Sequence, residues 1–219
     1  MSKYDLVLYD LDGTLWDSIP LILESLRKAY DIVLGGTDRT EADLKSYIGR
    51  PLGDTFAMHD KETSDKLIEA YLDYNCARMK ENAIPIFPGV YDFLGKIKSM
   101  NVKQGIVTSK RRDSAMITIG LLKLEEYFDT MIFREDTVLA KPHGEPLIEA
   151  ARRMGVSDMS RVLYVGDASA DLLSARDCGA DFALVGWTRM PKEELIRMGP
   201  DFVIETAERL SCIITGTEL

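Results

Sequence analysis

The chain has 219 residues, enough for one large domain or for a core that carries a smaller insertion. It is 46% hydrophobic and 29% charged, an ordinary globular composition. Its net charge of -9 and pI near 4.9 argue against nucleic acid or an anionic membrane as the main partner, since both need a basic face. Cys76, Cys178 and Cys212 form no CxxC pair, and their odd number argues against a disulfide framework. The opening MSKYDLVLYD meets aspartates before any long apolar core, so no signal peptide is expected. No later run is long enough to span a membrane, and a cytoplasmic location is the expectation.

The first element is the apolar run Leu6-Val7-Leu8-Tyr9, which stops at Asp10. Asp12, Gly13 and Thr14 follow, with Asp17 and Ser18 just beyond. A short apolar run closed by turn residues predicts a buried strand of a parallel sheet. The turn then lies at the strand's carboxyl end, where open α/β sheets place their ligands. Two carboxylates one residue apart need a cation or a shared proton. The stretch therefore predicts a hard divalent cation, Mg²⁺, beside an aspartate able to act as a nucleophile. An Asp-Gly turn with no further role is the plain alternative.

Asp17 or Ser18 can cap a helix that has Pro20 in its first turn and Ile19, Ile22, Leu23 and Leu26 at helical spacing. Gly35-Gly36 breaks it. Thr40 with Asp43 resembles a capping box, and Gly49 is expected to end that short helix. Pro51 can begin another helix towards Met58, and 63–80 reads as a longer one with Leu67, Tyr71 and Tyr74 on one face. Residues 18–79 are thus wholly helical, without the strand a compact βαβ unit would supply. Ile84-Pro85-Ile86-Phe87-Pro88-Gly89 then marks a hinge-like return into a packed body.

From there strands and helices alternate. A helix carries Val90, Phe93, Leu94, Ile97 and Met100, and a strand follows at 103–108. A helix at 113–122, a short strand at 130–133 and a helix at 145–154, stopped by Gly155, come next. The strand at 162–165 ends in Gly166-Asp167, and a helix at 170–178 ends at Gly179. Strands at 182–185 and 202–204 bracket a last helix pair. The alternation predicts an α/β protein with a doubly wound parallel sheet. Residues 1–16 and 86–219 would form its core, and 17–85 an all-helical cap inserted over the sheet's carboxyl edge.

Polar residues stand at four strand ends or just after them. The first end has Asp10 and Asp12. The second has Thr108 and Ser109, hydroxyls with backbone N–H groups at a helix start that can hold a phosphate oxygen. Lys141 lies in the loop after the third strand, before Pro142. The fourth end has Gly166-Asp167 and, four residues on, Asp171. Taken singly, these are a helix cap, a solvated lysine, an N-cap and a carboxylate favouring a helix dipole. Converging in one sheet they suit Mg²⁺ plus phosphate.

Asp10-Leu11-Asp12-Gly13-Thr14, Thr108-Ser109, Lys141-Pro142, and Gly166-Asp167 with Asp171 resemble the four motifs of haloacid dehalogenase superfamily phosphatases. The resemblance is to the subgroup with a helical cap after the first motif, and it covers nearly the whole chain. Ile48-Gly49-Arg50-Pro51-Leu52 with Phe56 resembles the cap segment of phosphoglycolate phosphatase-like and pyrophosphatase-like members. The resemblance implies that Asp10 attacks phosphorus and forms an aspartyl-phosphate, while Asp12 protonates the leaving oxygen and then activates water. It also implies Mg²⁺ held by Asp10, Asp167 and the Asp12 backbone carbonyl, with Asp171 in or near the outer shell. Thr108 would bond a phosphate oxygen and Lys141 would neutralise the crowded charge. Leu11, Gly13, Ser109 and Lys110 would be substrate-binding positions, joined by Arg50 from the cap. A guanidinium there suits a carboxylate or a second phosphate.

Some features stand apart from that pattern. Glycine at 144 replaces the proline expected two residues after Pro142. Trp16 is bulkier than the usual aliphatic residue, and packing at the cap hinge is its simplest role. The run Lys110-Arg111-Arg112 attracts anions or is a solvated face; His59 and His143 are given no role. Asp12 argues for phosphate over a carbon–halogen bond, although sugar-phosphate mutases share that acid. The expected substrate is a small phosphorylated metabolite such as phosphoglycolate, pyrophosphate or a nucleoside monophosphate, and the expected state is a monomer or homodimer. The rival of another class is a phospho-accepting signalling module, which also gathers acids, a hydroxyl and a lysine at strand ends. Against it stand the large cap and the acid partner of Asp10.

Overall fold

The computed structural model describes residues 2–81 and 84–216. Met1, Asn82, Ala83 and 217–219, which the sequence assigns to the core and cap segments, lie outside the described residues. Strand β1 (Leu6–Tyr9) is central. β2 (Lys103–Val107) and β3 (Thr130–Ile132) extend the sheet on one side. β4 (Val162–Gly166), β5 (Asp181–Val185) and β6 (Phe202–Ile204) extend it on the other. The order is β3-β2-β1-β4-β5-β6, and every pairing is parallel. Leu8 lies level with Gly105 on one side and Tyr164 on the other. The direction of winding reverses at β1, so a crevice opens at its carboxyl end.

Among the described residues, four helices fill the insertion between β1 and the return at 84–89: α1 (Ile19–Leu34), α2 (Glu41–Lys45), α3 (Leu52–Thr55) and α4 (Lys61–Glu81). The sheet helices are α5 (Val90–Ser99), α6 (Arg112–Leu121), α7 (Glu145–Arg153), α8 (Ser169–Cys178), α9 (Lys192–Arg197) and α10 (Ala207–Thr215). β1 is buried on both faces, which is why its run is apolar without alternation. Val7 and Tyr9 join a core with Phe93, Ile119 and Leu210 of α5, α6 and α10. Leu6 and Leu8 join another with Leu147, Leu172 and Leu195 of α7, α8 and α9.

The inserted helices bury a core of their own, in which Leu23, Leu26 and Tyr30 of α1 meet Phe56, Leu67 and Tyr71. The chain leaves and re-enters the sheet region along two paired linkers. Trp16 bridges Ile86 in antiparallel fashion, Asp17 N donates to Pro85 O at 2.8 Å, and Phe87 N donates to Leu15 O at 3.0 Å.

The structure corrects several local expectations. Ser18 sits at the N-cap of α1, but its side chain makes no cap hydrogen bond, because its hydroxyl is used by Asp12. The Thr40–Asp43 capping box is present, yet α2 stops at Lys45 and Gly49 closes a later turn with φ +85°. The helix after Pro51 is one turn long and ends at Phe56. Thr108 and Ser109 do not begin a helix: α6 starts at Arg112, and the Thr108 hydroxyl accepts from Lys110 N. β5 and β6 bracket α9 alone, and α10 follows β6.

Candidate active site

The carboxyl ends of β1 and β2, with the loop after β3, line one cavity of about 430 Å³, and the end of β4 brings Asp167 against Asp10. Asp10, Asp12, Thr108, Ser109, Lys110 and Lys141 line its floor. Tyr47 to Thr55, with Ile68, Tyr71 and Leu72, line the side formed by the inserted helices. Arg50 is among them and is exposed.

Asp10 and Lys141 join the floor to a buried charge network. Asp10, Lys141, Asp167 and Asp171 are each at most 5% exposed. Lys141 Nζ lies 2.6 Å from Asp171 Oδ1 and 3.0 Å from Asp10 Oδ1. It also donates to the Tyr164 hydroxyl, which in turn lies 2.9 Å from Val107 O. Asp171 Oδ2 accepts from the backbone N–H groups of Asp167 and Ala168, so both of its oxygens are engaged. Despite the nearby ammonium, no hydrogen-bond donor among the described residues is aligned on Asp10 Oδ1. Carboxylate oxygens of Asp10, Asp167 and Asp171 lie within 4.8 Å of one another.

Such crowding has a protonation consequence. Burial, together with Asp171 and Asp12, pushes the Asp10 carboxyl up to about 7 against the pull of Lys141. Burial, with Asp171 and Asp10 beside it, raises Asp167 well above the usual range. Burial alone would lower Lys141, but Asp10 and Asp171 hold its pKa above the ordinary lysine value. Three buried carboxylates facing one lysine leave negative charge uncompensated. All their donors are hard oxygens, so the set fits a hard divalent cation.

Gly13 explains how the turn can approach this cluster. Its φ is +83°, and a Cβ there would lie 2.1 Å from Asp167 Oδ2. No other residue type fits without displacing that carboxylate. The Gly13 N–H is already used, donating to Trp16 O at 3.0 Å. Leu11 is fully buried, and its carbonyl accepts from Thr14, Leu15 and Trp16.

Asp12 turns away from the cluster towards the linkers. Its Oδ1 accepts from Trp16 Nε1 at 2.8 Å and from Ser18 Oγ at 2.5 Å. Lys110 Nζ pairs with its Oδ2 at 3.2 Å. Burial works to raise Asp12, but Lys110 and these two donors outweigh it and hold its carboxyl below the usual value. Lys110 is therefore not part of a solvated basic face, whereas Arg111 and Arg112 pair outward with Glu135 and Asp136.

Sequence reasoning missed several contributors. Tyr164 was hidden inside the apolar run of β4. The loop after β5 supplies Thr188, whose hydroxyl donates to Asp167 Oδ2 at 2.6 Å, and Trp187, whose Nε1 donates to Thr14 O. Arg189 of that loop pairs with Asp17 at the linker, and Met190 packs on the core of the inserted helices. Their positions follow a strand end, the one signal that could have found them. Trp16 was read as packing; its indole N–H on Asp12 was not foreseen.

Comparison with known proteins agrees with this geometry. Residues 7–185 match the family described as haloacid dehalogenase-like hydrolase. A curated relative, pyrophosphatase PpaX of Anoxybacillus flavithermus, is 35% identical over 211 residues, covering 96% of this chain and 97% of its own. A hydrolase from Pseudomonas syringae superposes with a TM-score of 0.84 at 26% identity, covering 94% of this chain and 96% of its own. A β-phosphoglucomutase from Clostridium difficile superposes with a TM-score of 0.82 at 20% identity, covering 94% of this chain and 93% of its own; it shares the fold. The chain belongs to the haloacid dehalogenase-like hydrolases, and within them it is an enzyme of the phosphatase type. No helix among the described residues is long and apolar enough to cross a membrane.

Proposed function

We propose that the protein is a Mg²⁺-dependent phosphatase that hydrolyses a small phosphorylated compound through an aspartyl-phosphate on Asp10. The observation that carries this reading is the buried Asp10–Lys141–Asp171–Asp167 cluster, with an Asp10 oxygen left without an aligned donor at the cavity floor. Side chains of Asp10 and Asp167, with the backbone carbonyl of Asp12, would hold the ion. Asp171 is saturated by Lys141 and two backbone amides and so serves to position its neighbours. Mg²⁺, when bound, neutralises phosphoryl oxygens and makes phosphorus more electrophilic.

An Asp10 oxygen attacks phosphorus as the bond to the leaving oxygen breaks. Asp12 gives that oxygen a proton, then takes one from the water that attacks the aspartyl-phosphate, releasing phosphate and restoring Asp10. Lys141 offsets the charge that nucleophile and phosphoryl group bring together. Thr108 and Ser109 lie beside it on the floor and offer hydroxyls to the phosphoryl oxygens. In the arrangement seen, Asp12 is an anion tied to Lys110, Trp16 and Ser18. Two of those three partners sit on the linker to the inserted helices, so movement of the linker removes the donors that keep Asp12 ionised and lets it take from solvent the proton that it gives to the leaving oxygen.

Among substrates, the name of the Anoxybacillus relative favours inorganic pyrophosphate. Phosphoglycolate and nucleoside monophosphates belong in the same panel, on the likeness of the segment around Arg50. The experiment is phosphate release with Mg²⁺ from that panel, wild type beside Asp10→Asn. The expected result is turnover of at least one compound, lost on chelation of Mg²⁺ and lowered about 10⁴-fold or more in the variant, the scale of removing a covalent nucleophile. Turnover that survives in the variant would refute the role of Asp10.

A further inference from the structure

Five cationic side chains line the cavity: Arg50, Lys110, Arg111, Arg134 and Lys141. Lys141 pairs with Asp10 and Asp171, and Lys110 pairs with Asp12. Arg111 lies 3.5 Å from Asp113 and 3.6 Å from Glu135. Among the described residues, Arg50 and Arg134 alone of the five have no carboxylate within ion-pair distance. Arg50 stands exposed on the side of the inserted helices, whereas Arg134 is half-buried just after β3.

Arg134 is held against the phosphoryl site by its backbone. Its N–H donates to Lys110 O at 3.1 Å, so it moves with the segment that follows Thr108 and Ser109. Its Nη1 donates to Thr137 O at 3.1 Å. It also lines a narrow cleft together with Thr108, Ser109 and Lys141. On the same wall, the Ser109 hydroxyl is buried without a hydrogen-bond partner. A guanidinium has five N–H donors, and one carbonyl acceptor satisfies neither its donors nor its charge. The chain has 36 acidic residues against 27 basic ones, so carboxylates are plentiful, yet among the described residues none lies within ion-pair distance of Arg134.

We infer that Arg134 forms a second anion subsite beside the phosphoryl site, and that the substrate carries a second anionic group, phosphate or carboxylate, close to the scissile phosphoryl group. The inference rests on the phosphatase reading and names its substrate class. A planar guanidinium pairs with either group through parallel N–H donors, and half-burial strengthens the attraction. Arg134 is a specificity-determining residue on this view, and Lys141 with Thr108 remains the part that every phosphate ester would meet.

The test compares wild type with Arg134→Gln and Arg134→Lys on inorganic pyrophosphate, 2-phosphoglycolate and p-nitrophenyl phosphate, all with Mg²⁺. The last has no second anionic group. Arg134→Gln is expected to raise KM for pyrophosphate or phosphoglycolate about 10- to 100-fold, the scale of a lost charge-assisted hydrogen bond. Its values for p-nitrophenyl phosphate stay near wild type, and Arg134→Lys recovers part of the loss. The compound with the larger loss tells whether phosphate or carboxylate is read. Equal losses on all three compounds, or none on any, overturn the subsite.

If wild type turns over none of the three, the phosphatase reading passes to the rest of the panel, and binding decides the subsite. Inorganic pyrophosphate and inorganic phosphate are titrated calorimetrically into the Mg²⁺-loaded protein. A pyrophosphate preference of about tenfold or more that disappears in Arg134→Gln supports the subsite. Equal affinities in wild type, or a preference that Arg134→Gln retains, overturn it. Matching melting curves for the variants exclude misfolding as the cause.

Discussion

At the floor of the cavity, Asp10 and Lys141 are buried and interlocked with Asp167 and Asp171 behind them, Lys141 pairing with Asp10 and Asp171. On the facing side, Arg50 is exposed and meets no carboxylate among the described residues. The floor is preorganised: strand ends fix its atoms, and little needs to move to receive a phosphoryl group. The facing side is held by short helices and turns, and its charge is free to meet whatever the substrate presents. The contrast separates chemistry from selection. On the proposed reading, interactions shared by every substrate belong to the floor, and those that discriminate belong to Arg50 on the rim of the facing side and Arg134 beside the floor.

The strongest way to break the floor is to remove the cation that pairs with Asp10 and Asp171. Lys141→Ala leaves Asp10 and Asp171 buried and unpaired, a change worth about 3–5 kcal/mol of stability. Urea denaturation without Mg²⁺ should show that loss, and Mg²⁺ should restore part of it. An unchanged midpoint would mean that the carboxylates are neutral or hydrated there.

Proton linkage tests the same network. The Asp10 carboxyl is pushed up to about 7, from an ordinary 3.8, by burial and by Asp171 and Asp12. The folded metal-free protein therefore holds a proton that the unfolded chain releases. Stability from this group is full below pH 3.8 and is lost as pH rises through about 7. Mg²⁺ competes with that proton, so the gain in Tm on adding Mg²⁺ should be small at about pH 5 and large at about pH 8. Calorimetry in buffers of different ionisation enthalpy should record proton release on binding near neutral pH. Binding independent of pH would place the charge elsewhere.

The linker joins the two regions, and Trp16 is its most direct tie to the floor. Trp16→Phe keeps the buried ring and removes the N–H that Asp12 accepts. A roughly tenfold fall in kcat with KM unchanged is expected, the scale of one hydrogen bond to a charged group. A kcat equal to wild type would reduce Trp16 to packing. The smallest structural effect belongs to the rim. Arg50→Ala should leave stability within about 0.5 kcal/mol of wild type, as an exposed and unpaired side chain implies. Its KM should rise for substrates with a second anionic group. A rise in KM for all substrates alike would make Arg50 part of general phosphate binding.

Much of the floor was legible because strand ends are local events. An apolar run that stops at Asp10, and another that stops at Gly166-Asp167, announce themselves without knowledge of their neighbours. The alternation of strands and helices was legible for the same reason, since period and punctuation act over a few residues. Tyr164 was not legible, because a tyrosine within a buried strand looks like packing until its hydroxyl is seen between Lys141 and Val107. Thr188, Trp187 and Arg134 lie on loops with no periodic signal, and their roles depend on segments distant in the chain.

The sequence by itself determined where the strands end, which residue types stand there, and that a helical segment interrupts the sheet after β1. Those features are encoded in short windows of apolar periodicity and turn chemistry. Only the tertiary structure decided which charge meets which. It gave Lys110 to Asp12 and Lys141 to Asp10 and Asp171, turned the Ser18 hydroxyl from its helix to Asp12, and left Arg134 without a carboxylate partner among the described residues. Electrostatic partners are chosen by distance through space and by burial, and both are set by how β2, β1 and β4 lie side by side, not by their order along the chain.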